Sequence, residues 1–396
     1  MNTVETNLEE QKPVGLDAEQ EARREAEQER EEKRRRKRAK RKTVSRVVNR
    51  IFGFVMATVI VLGLGGLALE YVCLKGPSET LRNTFAMTMF ETRRFTWIPN
   101  IFLTEEEVAE IRATRNQHVE EEFDASLITL ATEDEDTDDS DGPQPDAYGL
   151  IDEDGDGIII ENIRGSGYVG YMLVVKDPHR VFVGAAVRGS GAGLTLEQMC
   201  EKYNAIGGIN GGAYVDHNGG GTGDTPDGLT ILSGQIANSG YGADAFVGLD
   251  TEGKLHVGYY TLADVQNMNI TDGVSFGPVL IINGNVTDAA KIPSGVNPRT
   301  AIGQRADGAI LMLVIDGRQV HSIGATYTDL ARIMADYGAV NACNLDGGSS
   351  SSIYCYGEYL NSSSSANGVA RALPDAFLIR ALDDGTDAGV EVSAES

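Results

Sequence analysis

Asn344-Leu345-Asp346-Gly347-Gly348-Ser349-Ser350 places a carboxylate at the end of an apolar run, followed at once by two glycines and a serine cluster. Apolar runs bounded by Gly and Ser read as a strand ending in a tight turn. Glycines beside a strand-end carboxylate let a ligand approach the backbone, so Asp346 is a candidate for chemistry. Val314-Ile315-Asp316-Gly317-Arg318 repeats the strand-Asp-Gly pattern and adds an arginine. Two strand-end aspartates suit paired-carboxylate chemistry of the kind that cleaves glycosidic bonds. Asn297-Pro298-Arg299-Thr300 sets a guanidinium at a strand entrance, where it fits a phosphate or carboxylate in a bidentate contact or pairs structurally with one of the many acids. Ile209-Asn210-Gly211-Gly212 offers a carboxamide beside glycines, either as a ligand site or as a strained turn.

Other chemistries fit less well. The five histidines show no metal spacing, and His217 and His321 read as polar surface residues near the glycine-rich motifs. Ser349 to Ser352 lack a Gly-x-Ser-x-Gly elbow and read as ligand hydrogen bonders or turn formers. The loop Asn218 to Gly228 lacks the spacing and lysine of a phosphate-binding P-loop and reads as a flap. Asp152-Glu153-Asp154-Gly155-Asp156-Gly157 begins like a calcium loop, but Ile163 stands at the twelfth position, so it reads as an acidic turn. The sequence therefore calls for no metal and no cofactor, and a divalent cation has no further support. Cys73, Cys200, Cys343 and Cys355 form no CxxC pair, and a disulfide between Cys343 and Cys355 competes with free buried thiols.

These motifs need a scaffold. From Ile158 the chain alternates short strands and turns: Tyr168 to Lys176, Val181 to Val187, Ala245 to Leu249, Leu255 to Tyr260, Pro278 to Ile282, Ile310 to Ile315 and Val340 to Leu345. Helices are few. Thr195 with Gln198 caps one that runs to about Asn204, and another spans Thr328 to Tyr337. Without a regular βαβ repeat, the expected class is α+β, a mixed, strand-rich ectodomain over residues 158–383.

What precedes it is not globular. The 396 residues carry a formal charge of −25, unevenly spread. Lys33 to Lys42 is almost wholly basic and Glu133 to Asp141 almost wholly acidic, and neither run can form a core. Ile51 to Leu69 is uncharged and apolar, roughly the span of a ~30 Å hydrocarbon layer, with the basic block on its N-terminal side. The expected organisation is a cytoplasmic charged tail (1–50), a single transmembrane helix (51–74), juxtamembrane helices (75–115), an acidic linker (116–157), the main domain (158–383) and an acidic C-terminal tail (384–396). The positive-inside rule puts the tail in the cytoplasm and the main domain outside. Within the tail, Ala18 to Lys42 reads as a solvated helix with i,i+4 pairs. After the membrane segment, Ser78 to Phe95 reads as a helix with Leu81, Phe85, Met89 and Phe90 on one side, and Thr104 with Glu107 opens another. A nucleic-acid partner is excluded, since it needs a basic face that this acidic ectodomain lacks.

In this order, Gly208-Ile209-Asn210-Gly211-Gly212, Pro298-Arg299-Thr300-Ala301-Ile302-Gly303, Asp316-Gly317 and Asn344-Leu345-Asp346-Gly347-Gly348-Ser349 resemble the phosphodiester glycosidase family over roughly residues 158 to 380. Tyr214 stands where the family often has Phe, Ser349 stands where animal members have a third glycine, and Arg318 resembles bacterial members. The resemblance implies hydrolysis of a GlcNAc-1-phosphodiester-like linkage in a cell-surface or exopolysaccharide glycan, by a bacterial-type enzyme with one N-terminal anchor. Asp316 and Asp346 are then the catalytic candidates, with Arg299 and Arg318 on the phosphate. The candidate substrate contacts are Asn210, Gly211, Gly212, Arg299, Thr300, Gly317, Arg318, Gly347, Gly348, Ser349 and Ser350. Competing expectations are a non-catalytic module that binds phosphorylated glycan and a scaffold for a polymer-synthesis complex.

Overall fold

The computed structural model describes residues 14–92, 95–113, 121–130, 143–187, 191–215, 222–239, 244–365 and 368–382. His118, His217, the acidic run at 133–141, residues 218–221 of the flap and the tail at 384–396 lie outside them. The chain divides into two compact units, residues 1–72 and 73–396.

In the first unit the helix Val14–Lys75 begins and carries both the charged tail and the apolar stretch. Exposed i,i+4 ion pairs, Lys33 with Glu29 and Arg36 with Glu32, decorate the tail. Residues Val47–Lys75 are long and apolar enough to cross a membrane, and the most apolar window of that helix is not buried against protein.

The second unit is α+β and strand-rich. A seven-stranded sheet has the order Ile158–Gly165, Tyr168–Val175, Ile310–Ile315, Arg299–Arg305, Ala339–Leu345, Val279–Ile282, Asn285–Val286. One five-stranded sheet has the order Glu358–Tyr359, Ile353–Cys355, Ala205–Asn210, Asp375–Arg380, Val181–Ala185. A second five-stranded sheet has the order Gln235–Asn238, Thr230–Leu232, Ile270–Ser275, Asp244–Asp250, Leu255–Tyr260. The unbroken apolar run Ile310–Ile315 follows from burial on both faces. Ile310, Met312 and Val314 pack with the smaller sheets, for example against Ile209, Val247 and Phe377. Leu311, Leu313 and Ile315 pack under the helix Tyr327–Asp336 with Leu330, Ala331 and Met334. That helix is opened by a capping box between Thr326 and Asp329. Leu196–Tyr203 is opened in the same way by Thr195 and Gln198.

The juxtamembrane helices differ in detail from the pattern reading. The first spans Glu79–Glu91, and its buried residues are Ala86 and Met87, while Leu81 is exposed. Small Ala86 lets the helix sit close to its neighbours, in a cluster with Leu74, Leu103 and Ile111. Thr104 and Glu107 form the reciprocal capping bonds. All four cysteines are free, and Cys343 and Cys355 are buried thiols in different sheets. At the acidic turn, Asp152 accepts from Gly155 N and Gly157 N and pairs with Lys176 at 2.9 Å. The carboxylates of Asp152, Asp154 and Asp156 do approach one another, but a lysine already neutralises the most buried of them.

Leu313→Ala would open a cavity between the large sheet and its covering helix. We expect a loss of about 2–5 kcal/mol in chemical denaturation, against little change for Leu81→Ala on the exposed helix face.

Candidate functional site

Antiparallel pairing gathers the motifs at one end of the large sheet. The strand Arg299–Arg305 lies between Ile310–Ile315 and Ala339–Leu345, with Arg299 opposite Ile315 and Thr300 opposite Leu345. The start of the middle strand therefore adjoins the ends of both neighbours, where Asp316 and Asp346 emerge. Asn210 ends a strand of the five-stranded sheet and crosses to the same place. Its Nδ2 donates to the Asp346 carbonyl at 2.7 Å, and its Oδ1 accepts from Thr300 Oγ1 at 2.8 Å and Ser352 N at 3.0 Å. Asp346 N in turn donates to Gly211 O at 3.1 Å. Asn210 is 0% exposed, so it positions the turn after Asp346 rather than presenting its amide to solvent.

The two aspartates sit in different surroundings. Asp346 is half-buried, and its Oδ1 accepts from Gly347 N at 3.0 Å. Asp316 is 3% exposed, and its carboxylate accepts from Ser362 N at 3.1 Å and Asn361 Nδ2 at 3.3 Å. His321, on the surface, approaches the other oxygen of Asp316 at 3.4 Å. Asn361 also donates to Ser351 O, tying the Asp316 turn to the serine segment.

The two arginines differ as well. Arg299 is 5% exposed and stacks on Tyr327 at 4.3 Å. Its Nη2 donates to Glu91 Oε2 at 2.8 Å and Gly295 O at 2.6 Å, and its Nε to Ala325 O at 3.3 Å. Burial opposes its charge, but the Glu91 carboxylate more than offsets this and holds its pKa above the ordinary value. The anion on Arg299 is therefore a side chain of this protein, from the helix Glu79–Glu91. Arg318 has a left-handed backbone, φ 58°, uncommon for a residue with a side chain. Its Nη2 donates to Asn297 Oδ1 at 2.8 Å, and Asn297 Nδ2 donates to Glu91 Oε2 at 2.6 Å.

The glycines follow from close approach. A Cβ on Gly317 would meet Pro298 N at 2.5 Å, and one on Gly347 would meet Pro298 O at 2.9 Å. Gly348, at φ +66°, lies under the Arg318 guanidinium, and a Cβ there would come 3.3 Å from Nη1. Gly211 is pressed against Asp375, whose Oδ1 would lie 2.4 Å from an added Cβ. Ser349 Oγ accepts from Arg371 at 2.8 Å, and Ser350 is buried.

Asp375, Arg371, Asn361, Ser362 and Glu91 were not singled out in the sequence. Asp375 is the most unusual: 1% exposed, accepting from Gly212 N at 2.7 Å and Thr230 Oγ1 at 3.3 Å. Burial pushes its carboxyl up to about 7, helped by the charge of Asp346 and opposed by those two donors. An aspartate directly before the apolar run Ala376 to Ile379 was the visible signal. Because its unfolded value is near 3.8, the folded chain binds the extra proton between about pH 4 and pH 7. Stability should therefore fall as pH rises through that window. Asp375→Asn keeps an acceptor for Gly212 and removes the charge. Its stability relative to wild type should be on the order of 3 kcal/mol more favourable at about pH 8 than at about pH 4, read from paired denaturation curves.

Comparison with known proteins finds several relatives. A 91-residue stretch is 42% identical to the SPbeta prophage-derived uncharacterized protein YomE of Bacillus subtilis (strain 168), covering 23% of this chain and 14% of that one. N-acetylglucosamine-1-phosphodiester alpha-N-acetylglucosaminidase of Mus musculus is 23% identical over 223 residues, covering 50% of this chain and 42% of the mouse protein. The chain thus spans less than half the length of these curated relatives. Among solved structures, the zebrafish N-acetylglucosamine-1-phosphodiester alpha-N-acetylglucosaminidase catalytic domain, auto-inhibited by its pro-peptide, superposes with a TM-score of 0.48 at 22% identity, covering 56% of this chain and 82% of that one. Residues 203–380, which contain Asn210, Arg299, Asp316 and Asp346, match the phosphodiester glycosidase family.

Proposed function

We propose that this protein hydrolyses a sugar-1-phosphodiester of a cell-surface glycan, from the outer face of a membrane that its apolar helix spans. The observation that carries the reading is a half-buried carboxylate, Asp346, two residues before Gly348, over which the Arg318 guanidinium lies. That arrangement suits an anomeric carbon near the carboxylate and a phosphodiester anion near the arginine. The family match over residues 203–380 supports the same reaction class.

In the proposed step the C1–O bond breaks and its electron pair leaves with the phosphate oxygen. A water oxygen forms the new bond to C1, and its proton passes to Asp346 and then to solvent. The products are a free sugar and a phosphomonoester. A phosphate leaves readily, so the site has less need of a strong acid than one for ordinary glycosides. Asp316, buried and held by Ser362 and Asn361, contributes negative charge to an oxocarbenium-like transition state. Asn210 and Thr300 hold the Asp346 turn in place.

The assay is release of sugar from GlcNAc-1-phosphate methyl ester by the full chain in detergent. Asp346→Asn should lower kcat by about 10²–10⁴-fold, and Asp316→Asn should lower it less. Full activity in both variants sinks the assignment, while saturable binding with no turnover in wild type favours a binding module instead. For the topology, protease added outside intact cells should digest residues 158–383 and spare residues 1–50; the reverse pattern refutes the proposed orientation.

A further inference from the structure

Arg371 lies beyond the four motifs, in the segment leading to the strand Asp375–Arg380. Its Nη1 donates to Ser349 Oγ at 2.8 Å, and its guanidinium stacks on the Tyr214 ring at 4.5 Å. Arg318 approaches the preceding residue, with Nη1 and Nη2 at 3.3 and 3.4 Å from the position a Cβ on Gly348 would take. Two guanidiniums from distant parts of the chain thus meet consecutive residues of one turn, directly after Asp346. Ser364 Oγ donates to Gly348 O at 3.1 Å and braces that turn.

We propose that Arg318 and Arg371 form a two-armed clamp for a phosphate group over the Gly348–Ser349 turn, with Arg371 the arm that sets affinity for the anionic half of the substrate. The clamp rests on the hydrolase reading for its place in a reaction, but not for its ability to bind phosphate.

Three features support it. Arg299, the arginine of the most conspicuous motif, is already held by Glu91 and two backbone carbonyls. Burial and the charge of Arg299 depress the pKa of Arg318, with Glu91 acting against them, and an anion bound at its guanidinium would favour the charged form. Arg318 is also carried on a left-handed backbone, closed by Arg318 N donating to Ile323 O at 3.2 Å. A conformation disfavoured for a long side chain is retained where the surrounding structure aims that side chain at something. Gly348 then has a reason beyond its φ, because a side chain there would fill the space under the Arg318 fork.

The test uses the full chain in detergent, with inorganic phosphate as the calorimetric probe and GlcNAc-1-phosphate methyl ester as the substrate. Arg371→Gln should weaken phosphate binding and raise KM about tenfold to a hundredfold, with kcat changed far less. Arg371→Lys keeps the charge without the fork and should recover only part of the loss; it also serves if the glutamine variant fails to fold. Ser349→Ala removes the hydroxyl that Arg371 holds and leaves both guanidiniums, so it should cost less phosphate affinity than Arg371→Gln. Equal losses in Ser349→Ala and Arg371→Gln would mean that Arg371 merely holds the serine, and would overturn the clamp. Unchanged phosphate binding in a folded Arg371→Gln variant, or no saturable phosphate binding in wild type, would overturn it too. Phosphate binding that depends on Arg371, in a chain that does not turn over the ester, would sustain the clamp and remove the hydrolase reading.

Discussion

One buried carboxamide holds the candidate site together. Asn210 ends a strand in one sheet, and its three side-chain hydrogen bonds all end on another part of the site: Thr300, the Asp346 carbonyl and the Ser352 amide. A fully buried amide that lost these partners would leave its own polar atoms and theirs unsatisfied, at about 1–3 kcal/mol each. The sheets are therefore not free to slide at this end. Since Asp346, Gly347 and Gly348 follow directly from the bonded carbonyl, the bracket fixes where the carboxylate and the turn beneath Arg318 lie. Pro298 provides the second constraint. Its backbone passes between Gly317 and Gly347 so closely that a Cβ on either would collide with it.

With that frame in place, the two arginines separate into different jobs. Arg299 faces inward, stacked on Tyr327 and paired with Glu91. Buried ion pairs add little net stability, because desolvation offsets attraction, but losing one partner strands the other. The pair thus acts mainly as a lock between the helix Glu79–Glu91 and the sheet entrance, reinforced by Val296 N donating to Thr88 Oγ1 at 3.0 Å. That helix, which follows the apolar segment, is thus packed against the strand entrance at Arg299. Arg318, one residue past Gly317, is carried outward over Gly348 and donates to Asn297.

Local pattern made the scaffold legible. The strands Leu255–Tyr260 and Ile310–Ile315 match the apolar runs residue for residue, because burial and turn residues mark both ends. The capping boxes at Thr195 and Thr104 were readable for a similar reason: both partners lie within one turn. Partners far apart in the chain left no such trace. Glu91 meets Arg299 across 208 positions, so the motif showed an arginine but not its occupant. Asn210 read as a ligand contact because its type and glycine neighbours suit one, whereas its burial depends on strands that arrive 90 and 142 residues later. Arg371 and Asp375 were overlooked because their significance lies in what they touch, not in a spacing.

Charge at the site also differs from charge over the chain. The formal −25 would suggest poor affinity for an anionic glycan. Exposed charges farther than about 8 Å are largely screened at physiological ionic strength, so local groups decide. Arg299 is offset by Glu91, while Arg318 and Arg371 approach Gly348 and Ser349, in the turn that follows Asp346. Asp375 then tips the balance. With its carboxyl pushed up to about 7 by burial, helped by the Asp346 charge, it adds little further negative charge next to Asp346 below that pH. Ionising it would add a buried negative charge close to that of Asp346, where burial screens it poorly. The carboxyl of Asp375, buried against Gly211, thus limits the negative charge gathered around Asp346 in a strongly acidic protein.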